Sequence, residues 1–262
     1  MAMLIKPVSL MRADVAELLY VERNSLGDSD YTIDEALDVL RSPAHLCLGC
    51  YVEEALVGFL SCIETWGPLG ARLEMDMLGV LSAHRRRGYA RELVARALDQ
   101  ATGRHCTMAR AVVAVDNTAS QTVFHSAGFE AVVPCTMLVW NRHASSGAAP
   151  SERLVSRQLQ LAERPDARAT ATEWANDTTT FARATSIQVA TLAYRGCWIE
   201  EISGRSPEDC AALVTRIGCD AVMTGLAEAG VLAPRSAPSD IAALVSLGWR
   251  PVGDYDIFTR QL

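Results

Sequence analysis

The first part of the chain alternates between short apolar runs and amphipathic stretches. Apolar residues spaced three and four positions apart predict helices over 12–23, 32–41, 88–102 and 118–126. Apolar runs rich in β-branched residues predict strands over 4–8, 46–52, 56–66, 73–80, 107–115 and 132–139. Thr32, with Glu35 three positions later, has the spacing of a helix-capping box. The predicted order of elements is β-α-α-β-β-β-α-β-α-β.

A stretch of small residues over 144–150 separates this part from a second one and has the composition of a flexible linker. We therefore predict a first domain over 1–143, a linker over 144–151 and a second domain over 152–262. In the second domain, helices are predicted over 152–163, 206–217 and 239–247, and β-rich segments over 178–202 and 219–224.

Composition narrows the class of protein. Of the 262 residues, 50% are hydrophobic and 21% are charged, so the chain is long and apolar enough to form a folded core. The net charge of −7 argues against nucleic acid or an anionic membrane as the main partner. No run approaches the roughly 18 apolar residues of a membrane helix, and we expect a cytoplasmic protein. The eight cysteines are spread along the chain, so reduced thiols are expected rather than disulfides or a metal site.

The most informative segment is an arginine-rich loop between a predicted strand and a predicted helix. Four arginines and two small residues surround the helix start: Arg85, Arg86, Arg87, Arg91, Gly88 and Ala90. The free N–H groups of a helix N-terminus, together with the helix dipole, attract an anion. The segment is therefore typical of a polyphosphate site, and a solvated basic loop is the alternative.

Two motifs resemble the signatures of the GNAT family of N-acetyltransferases. Arg85-x-x-Gly88-x-Ala90 is similar to the family's (Gln/Arg)-x-x-Gly-x-(Gly/Ala) loop, which binds the pyrophosphate of acyl-CoA. Asn117 and the segment 123–129, which ends in Gly-Phe, resemble the second signature of the family. The resemblance covers residues 4 to about 143, and both motifs fall in the family's element order.

The resemblance implies an α/β (α+β) fold in which helices flank a mixed, mostly antiparallel, twisted sheet. It also implies a bulge in the fourth strand, 73–80, and a gap between that strand and the fifth. Acetyl-CoA is the implied cofactor, held at its pyrophosphate by the amides from Arg86 to Arg91 and along its arm by the fourth strand. The implied cofactor-binding residues are Leu78, Gly79, Val80, Arg85, Arg86, Arg87, Gly88, Tyr89, Ala90, Arg91, Asn117 and Phe124.

Two acidic residues on the fourth strand, Glu74 and Asp76, are the candidate catalytic groups. A protonated amine cannot attack a thioester, so the reaction needs a base. Glu74 lies eleven positions before Arg85, the spacing of the catalytic glutamate in the histone-acetylating branch of the family, and is the preferred base. Asp76 shares its strand face. Two carboxylates exposed on a half-solvated strand are the alternative.

One position departs from the family pattern. Many members carry a tyrosine that protonates the leaving thiolate, whereas this chain has Phe124. Either the thiolate leaves without a protein acid, or the protein binds acyl-CoA without turning it over. The resemblance therefore implies an N-acetyltransferase that works by direct attack of an amine on the thioester, and a non-catalytic or regulatory acyl-CoA-binding protein is the alternative.

The resemblance places the acceptor beside the loops at 28–31 and 66–69. Acidic and aromatic residues there suit an amine, on a small molecule or a peptide N-terminus, through charge and cation–π contact. Ordinary polar turns with a packed tryptophan are the alternative. The implied acceptor-binding residues are Asp28, Asp30, Tyr31 and Trp66.

The second domain resembles a shortened, degenerate GNAT domain, because its Gly-Trp ending at 248–249 matches the Gly-Phe ending of the first. One of its helices starts with Ser206, Pro207 and two acids, which satisfy the free N–H groups and repel phosphate. We therefore expect one acetyl-CoA site per chain. The second domain is expected to wall the acceptor groove, complete a common sheet or pack against another chain, which leaves a homodimer open.

Overall fold

The structure is a computed structural model that describes residues 3–27, 31–141, 154–158, 172–176 and 182–262. In the first half every predicted element is present close to its predicted bounds. Its elements are β1 (Met3–Pro7), α1 (Arg12–Ser25), α2 (Ile33–Leu40), β2 (His45–Val52), β3 (Ala55–Gly67), β4 (Gly70–Val80), α3 (Tyr89–Gly103), β5 (Met108–Ala114), α4 (Thr118–Ser126) and β6 (Glu130–Asn141). The capping box at Thr32 and Glu35 is confirmed. The predicted linker lies outside the described residues.

The second half differs more from its prediction. Its elements are β7 (Leu154–Gln158), β8 (Thr172–Asn176), β9 (Ala182–Ala190), β10 (Arg195–Gly204), α5 (Pro207–Met223), β11 (Glu228–Pro234), α6 (Pro238–Ser246) and β12 (Arg250–Gln261). The strand predicted over 219–224 is wrong, because Cys219 and Val222 continue the buried face of α5. The helix predicted over 152–163 is also wrong, since the described part of that segment is β7. The unpredicted strand β11 contains Gly230, which interrupts its apolar run.

The twelve strands of the described residues form one sheet, in the order β1-β2-β3-β4-β5-β12-β6-β11-β10-β9-β8-β7. The two halves exchange their last strands. The C-terminal strand β12 lies between β5 and β6, antiparallel to both, while β6 pairs with β11 of the second half. The second half therefore completes a common sheet, one of the roles expected for it.

The exchanged strands carry core residues into the opposite half. Phe258 of β12 is 1% exposed, lies 6.2 Å from the Phe124 ring between centroids, and belongs to the same core cluster of the first half as Phe124 and Phe129. Leu138 and Trp140 of β6 are buried in the second half's core, under α5 and α6. Neither core is complete without a strand from the other half, so the halves should unfold together.

The cysteines agree with the expectation of reduced thiols. All eight are free. Cys47 and Cys50 lie on opposite faces of β2, in different core clusters, and burial raises the pKa of both thiols. Among the described residues, no helix is both long enough and apolar enough to cross a membrane.

The strand exchange makes a prediction about cooperativity. Phe258→Ala removes a buried ring from the first half's core and should lower the free energy of unfolding by about 3–5 kcal/mol. Val252→Ala, on an exposed position of the same strand, is the control. Urea unfolding followed by circular dichroism and by tryptophan fluorescence, which reports mainly on the second half, should show both probes shifting together. Separate transitions for the two probes would contradict the shared core.

Candidate active site

The candidate site lies where β4 and β5 separate. These parallel strands pair only from Arg72 to Met75, opposite Met108 to Ala111. At the next residue, Asp76, the pairing of β4 with β3 shifts by one, which makes Asp76 the extra residue of a β-bulge. The bulge and the gap that the resemblance implies for the fourth strand are both present. Asp76 therefore lies at the apex of the gap.

Beyond the bulge, β4 has one paired edge and one open edge. Residues 77–80 pair with 58–61 of β3, and no described residue pairs with them on the side of β5. An open strand edge binds an extended ligand through backbone hydrogen bonds. Gly79 is required here for packing, because a Cβ atom would lie 2.3 Å from the Oγ atom of Ser25. The predicted arm-binding positions at 78–80 thus lie on an accessible edge.

A loop of eight residues, 81–88, joins β4 to α3. Gly88 has a left-handed φ of +85°, which glycine adopts without strain, and a Cβ atom there would meet nothing within 4 Å. No side chain caps the start of α3. Within the described residues, no carbonyl outside the helix accepts a hydrogen bond from the backbone N–H groups of 86–91. These free donors at a helix N-terminus form a site suited to a pyrophosphate.

The loop arginines have different roles. The guanidinium of Arg85 donates to the carbonyls of Val80 and Ser25, each at 3.0 Å, and so ties the loop to β4 and α1. Arg87 donates to the carbonyl of Ala83 at 3.3 Å. Arg86 and Arg91 are exposed. The positive charge therefore surrounds the open amides while Arg85 fixes the shape of the loop.

The corresponding connection in the second half has no such site. Only Arg205 and Ser206 separate β10 from α5. The Oγ atom of Ser206 accepts a hydrogen bond from the N–H of Asp209 at 3.1 Å, and Pro207 occupies the first turn. Glu208 and Asp209 add negative charge at the helix start. A phosphate group would be repelled at this position.

Glu74 belongs to a buried ion-pair network. Its carboxylate lies 2.7 Å from Arg110 and 3.1 Å from Arg72, and it also accepts a hydrogen bond from the Thr65 hydroxyl. Glu200 of the second half pairs with the same two arginines. Burial raises the pKa of Glu200, but Arg110 and Arg72 outweigh this effect and hold its pKa below the usual value. Both carboxylate oxygens of Glu74 are engaged by these contacts and are not free to meet an incoming amine, so the contacts do not favour Glu74 as the base.

Asp76 is different, because both of its carboxylate oxygens are buried and have no hydrogen-bond partner among the described residues. His45 and Ser61 lie on the same face of the sheet, with 3.0 Å between Nε2 and Oγ. Burial lowers the pKa of His45, whereas the charge of Asp76 acts in the opposite direction. A buried carboxylate without a partner is costly unless a cation or donor binds it. Asp76 therefore has the free oxygens that an incoming amine requires.

Other predicted cofactor-binding residues have structural contacts. The Oδ1 atom of Asn117 caps α4 by accepting a hydrogen bond from the N–H of Ser120 at 3.1 Å. Phe124 is 3% exposed and packs at 5.2 Å from the Phe129 ring centroid, so the predicted cofactor contact of its side chain is not supported. Tyr89 is half-buried against the first half's core, and Ala90 is half-buried in the first turn of α3.

The predicted acceptor residues do not form one cluster. Asp28 and Asp30 lie outside the described residues. Trp66 is 9% exposed in the core beneath α3, with its indole N–H donating to Glu64 at 2.7 Å, so its burial does not support an acceptor contact. Tyr31 lies on the side of α1 and α2, where its hydroxyl donates to the carbonyl of Thr191 at 2.6 Å.

Sequence reasoning missed the ion-pair network and the His45–Ser61 pair. The available signal was a charged residue inside a strand-like apolar run: Arg72 beside Leu73, Arg110 between two alanines, and Glu200 after Ile199. Such residues are rarely buried without a partner. The partners themselves could not be identified, since they lie far apart in the chain.

Comparisons with known proteins agree with this geometry. A sequence model described as "Acetyltransferase (GNAT) family" matches residues 13–129. A tandem GNAT protein from the clavulanic acid biosynthesis pathway aligns with a TM-score of 0.57 and 15% identity, over 99% of this chain and 98% of that one. The first half of the chain therefore matches the GNAT family model, and the whole chain has the GNAT fold in a tandem arrangement. Acetyl-CoA is the cofactor of this family.

Two further solved structures have a similar fold. A putative acetyltransferase from Pyrococcus horikoshii has a TM-score of 0.58 at 13% identity, over 99% of this chain and 89% of that one. A GCN5-related N-acetyltransferase from Sphaerobacter thermophilus has a TM-score of 0.60 at 10% identity, over 99% of this chain and 95% of that one. A search of curated proteins found no match.

The ion-pair network predicts a pH-dependent loss of stability. Glu200→Gln leaves two buried guanidiniums with one carboxylate and should lower the free energy of unfolding at pH 7 by about 3–5 kcal/mol. Because the folded pKa of Glu200 is lowered, its contribution is complete above about pH 4.3, the pKa of an unfolded-chain glutamate, and is lost as the pH falls through the folded value.

The difference in stability between wild type and Glu200→Gln, measured by urea unfolding from pH 7 to pH 3, should therefore shrink on acidification. Asp34→Asn, which breaks the exposed pair with Arg12, is the control and should cost far less. A difference that is independent of pH would argue against an ionised Glu200.

Proposed function

We propose that the protein is an acetyl-CoA-dependent N-acetyltransferase that transfers an acetyl group to an amine by direct attack on the thioester. The observation that carries this proposal is the placement of Asp76, a buried carboxylate with two free oxygens at the apex of the gap between β4 and β5. The open edge of β4 and the free amides at the start of α3 flank the same gap. The site proposed for the acetyl donor and the group proposed to accept the amine's proton thus lie next to each other.

The residues present fit acetyl-CoA. The N–H groups of 86–91 suit its pyrophosphate, and the open edge of β4 at 78–80 suits its extended arm. When bound, acetyl-CoA supplies the thioester carbonyl that an amine can attack. The alternative reading of the loop as a merely solvated basic segment does not account for its left-handed turn and uncapped helix start.

Asp76 is the proposed base, in place of Glu74. An amine that reaches Asp76 loses its contacts with water and gains a contact with a buried carboxylate. The carboxylate accepts the amine's proton directly or through a water molecule. Glu74 retains a positioning role, because its pairs with Arg72 and Arg110 fix the strand two residues before Asp76.

The leaving thiolate has no hydroxyl donor at position 124, where a buried phenylalanine stands. A thiol has an unperturbed pKa of about 8.5, so its thiolate is a stable leaving group close to neutral pH. The missing tyrosine is therefore compatible with turnover. It is also the observation that keeps a non-catalytic acyl-CoA-binding protein as the second candidate.

Eight free cysteines in a chain of this size support a reducing compartment, and we propose the cytoplasm.

The number of donor sites is the first test. Calorimetric titration with acetyl-CoA should give one equivalent per chain, because within the described ranges only the first half has an open loop before a helix. Gly88→Ala should weaken binding, since alanine disfavours the left-handed φ at this position although the space for a Cβ atom is free. Gly103→Ala, also in open space but without a positive φ, is the matched control. Two equivalents per chain would contradict the assignment.

The identity of the base is the second test. Asp76→Asn keeps the shape of the side chain but removes the proton acceptor, so kcat should fall by about 10²- to 10⁴-fold with little change in acetyl-CoA affinity. The pH dependence that a general base confers on the rate should be lost in this variant. Asp99→Asn, on the exposed side of α3, is the control.

Glu74→Gln distinguishes the two carboxylates. It should lower stability while keeping the shape of the pH–rate profile, because it disturbs the network rather than the base. If Glu74→Gln abolished the pH dependence of the rate and Asp76→Asn left it unchanged, Glu74 would be the base. Acetyl-CoA binding without acetylation of any amine would favour the non-catalytic candidate.

A further inference from the structure

The second half has a strand gap of its own, at the place that corresponds to the gap between β4 and β5. The parallel strands β10 and β11 pair only over three residues each, 197–199 with 229–231. Beyond them, β10 continues to pair with β9, with an irregularity between Glu200 and Ser203, and no described residue pairs with it on the side of β11. We call this opening the second gap.

A cavity of about 380 Å³ lies in the second gap and is open to the surface. One wall is a single face of α5, made of Pro207, Cys210, Ala211 and Val214, and residues 232–234 of β11 also line it. Binding sites for small molecules are clefts of about 300–1,000 Å³ with mostly apolar walls and a few polar groups. The second gap has the size and the kind of lining that such a site requires.

The same cavity is unsuited to the pyrophosphate of acetyl-CoA. Pro207, in its wall, has no backbone N–H to donate, and the N–H of Asp209 already donates to Ser206. Glu208 and Asp209 add negative charge at this helix start. An occupant of the second gap is therefore a small molecule without a polyphosphate group.

Two arginines line the cavity, but their charge is already balanced. Arg72 lies 3.1 Å from the carboxylate of Glu74 and also pairs with Glu200, and Arg110 lies 2.7 Å and 2.8 Å from the same two carboxylates. Because two guanidiniums face two carboxylates, this network presents no net charge to a ligand. The charge preference of the cavity therefore depends on the other charged residues in its wall.

Those residues, Glu201 and Asp240, are both acidic. The Oε2 atom of Glu201 accepts a hydrogen bond from the Thr185 hydroxyl at 3.2 Å, whereas its Oε1 atom is buried and has no hydrogen-bond partner among the described residues. Burial raises the pKa of Glu201, and the charge of Glu200 adds to this effect. A buried oxygen without a partner is costly unless a donor or a cation binds it. The wall of the cavity thus favours a cationic ligand.

The backbone and an aromatic neighbour support the same preference. Glu201 has a left-handed φ of +54°, which residues other than glycine rarely adopt. Such strain persists only where the surrounding structure imposes it, and it is concentrated at binding and active sites. Trp198 of the same strand also lines the cavity, and the face of an indole ring attracts an organic cation. A carboxylate oxygen and an indole ring together suit an ammonium group on an apolar body.

We propose that the second gap is a binding site for a small apolar amine, whose ammonium group pairs with Glu201 and whose hydrocarbon part packs between α5 and β11. An anionic ligand would be repelled by Glu201 and Asp240, and a neutral hydrocarbon would leave the Oε1 atom of Glu201 unpaired. The site lies apart from the loop at 81–88 that is proposed for acetyl-CoA. The two gaps of the chain therefore differ in the charge of the ligand that each one suits.

Cys210 serves as a local reporter of occupancy, because it lines the cavity and is the one cysteine of the eight that is not buried. The probe is phenethylamine, with phenethyl alcohol as its neutral counterpart and 3-phenylpropanoate as its anionic one. The full chain, without acetyl-CoA, is alkylated by iodoacetamide at about pH 8, where a fraction of the thiol is ionised. Peptide mass spectrometry then measures the rate at Cys210.

Saturating phenethylamine should slow the alkylation of Cys210 by about fivefold or more, because a bound ligand covers the thiol. Phenethyl alcohol and 3-phenylpropanoate at the same concentration should change the rate by less than about twofold, because neither supplies a cation to Glu201. Protection by either counterpart as strong as that by the amine would overturn the proposed charge preference. No protection by phenethylamine at about 10 mM would overturn the site itself.

Glu201→Gln keeps the size of the side chain but removes its charge. It should raise the phenethylamine concentration that half-protects Cys210 by about tenfold. Glu208→Gln is the matched control, because it removes the same charge at an exposed position of α5 outside the cavity wall, and it should leave that concentration unchanged. If Glu201→Gln fails to fold, as judged by circular dichroism, Asp240→Asn replaces it and should raise the concentration by about threefold.

An unchanged half-protecting concentration in the folded Glu201→Gln variant would overturn the assignment of the ammonium group to Glu201. None of these measurements uses acetyl-CoA or acetyl transfer. The amine site and the proposed acetyltransferase function therefore succeed or fail independently.

Discussion

The exchange of β6 and β12 is the constraint on which the rest of the structure depends. Neither half completes its part of the sheet alone. The second half's β12 pairs with β5 of the first half, and the first half's β6 pairs with β11 of the second. Because the exchanged strands also carry Phe258 and Leu138 into opposite cores, backbone pairing and side-chain packing act together. The fixed relation between the halves brings Glu200 to Arg72 and seats the turn at 191–194 on the helices of the first half.

The repeated register explains why only one half keeps a free carboxylate. The last parallel pair between β4 and β5 is Met75 with Ala111, and the last between β10 and β11 is Ile199 with Val231. The next residue is acidic in both halves, Asp76 in one and Glu200 in the other. Glu200 is neutralised by two arginines of the first half, whereas the positions that correspond to those arginines in the second half are glycines.

These glycines are Gly196 and Gly230, and the rings of Tyr194 and Trp198 fill the space that side chains would take. The second half therefore has no arginine at these two positions that could pair with Asp76. Glu200 stabilises the contact between the halves, whereas the carboxylate oxygens of Asp76 have no partner among the described residues.

Much of this arrangement is local and could be predicted. The elements of the first half follow from periodicity, and the loop at 81–88 from its glycine and arginines, because both depend on neighbouring residues. The exchange of strands could not be predicted. The apolar pattern of the sequence marks both β6 and β12 as strands but does not specify which neighbour each one pairs with. The same limit explains the preference for Glu74 as base: its spacing to Arg85 is visible in the sequence, whereas its pairing with Arg110 and Glu200 depends on strands far away in the chain.

The two connections that precede α3 and α5 show how the halves could diverge without loss of the fold. Both helices pack on the sheet in the same way, but eight residues lead into α3 and two lead into α5. A long loop leaves the first N–H groups open to an anion, whereas Ser206 and Pro207 close them with a cap. A cap stabilises a helix, so the start of α5 is stabilised by Ser206 while the start of α3 keeps its N–H groups open. The second half, which has no open amides at the start of α5, presents Leu192 and Arg195 to α1 and α2 of the first half.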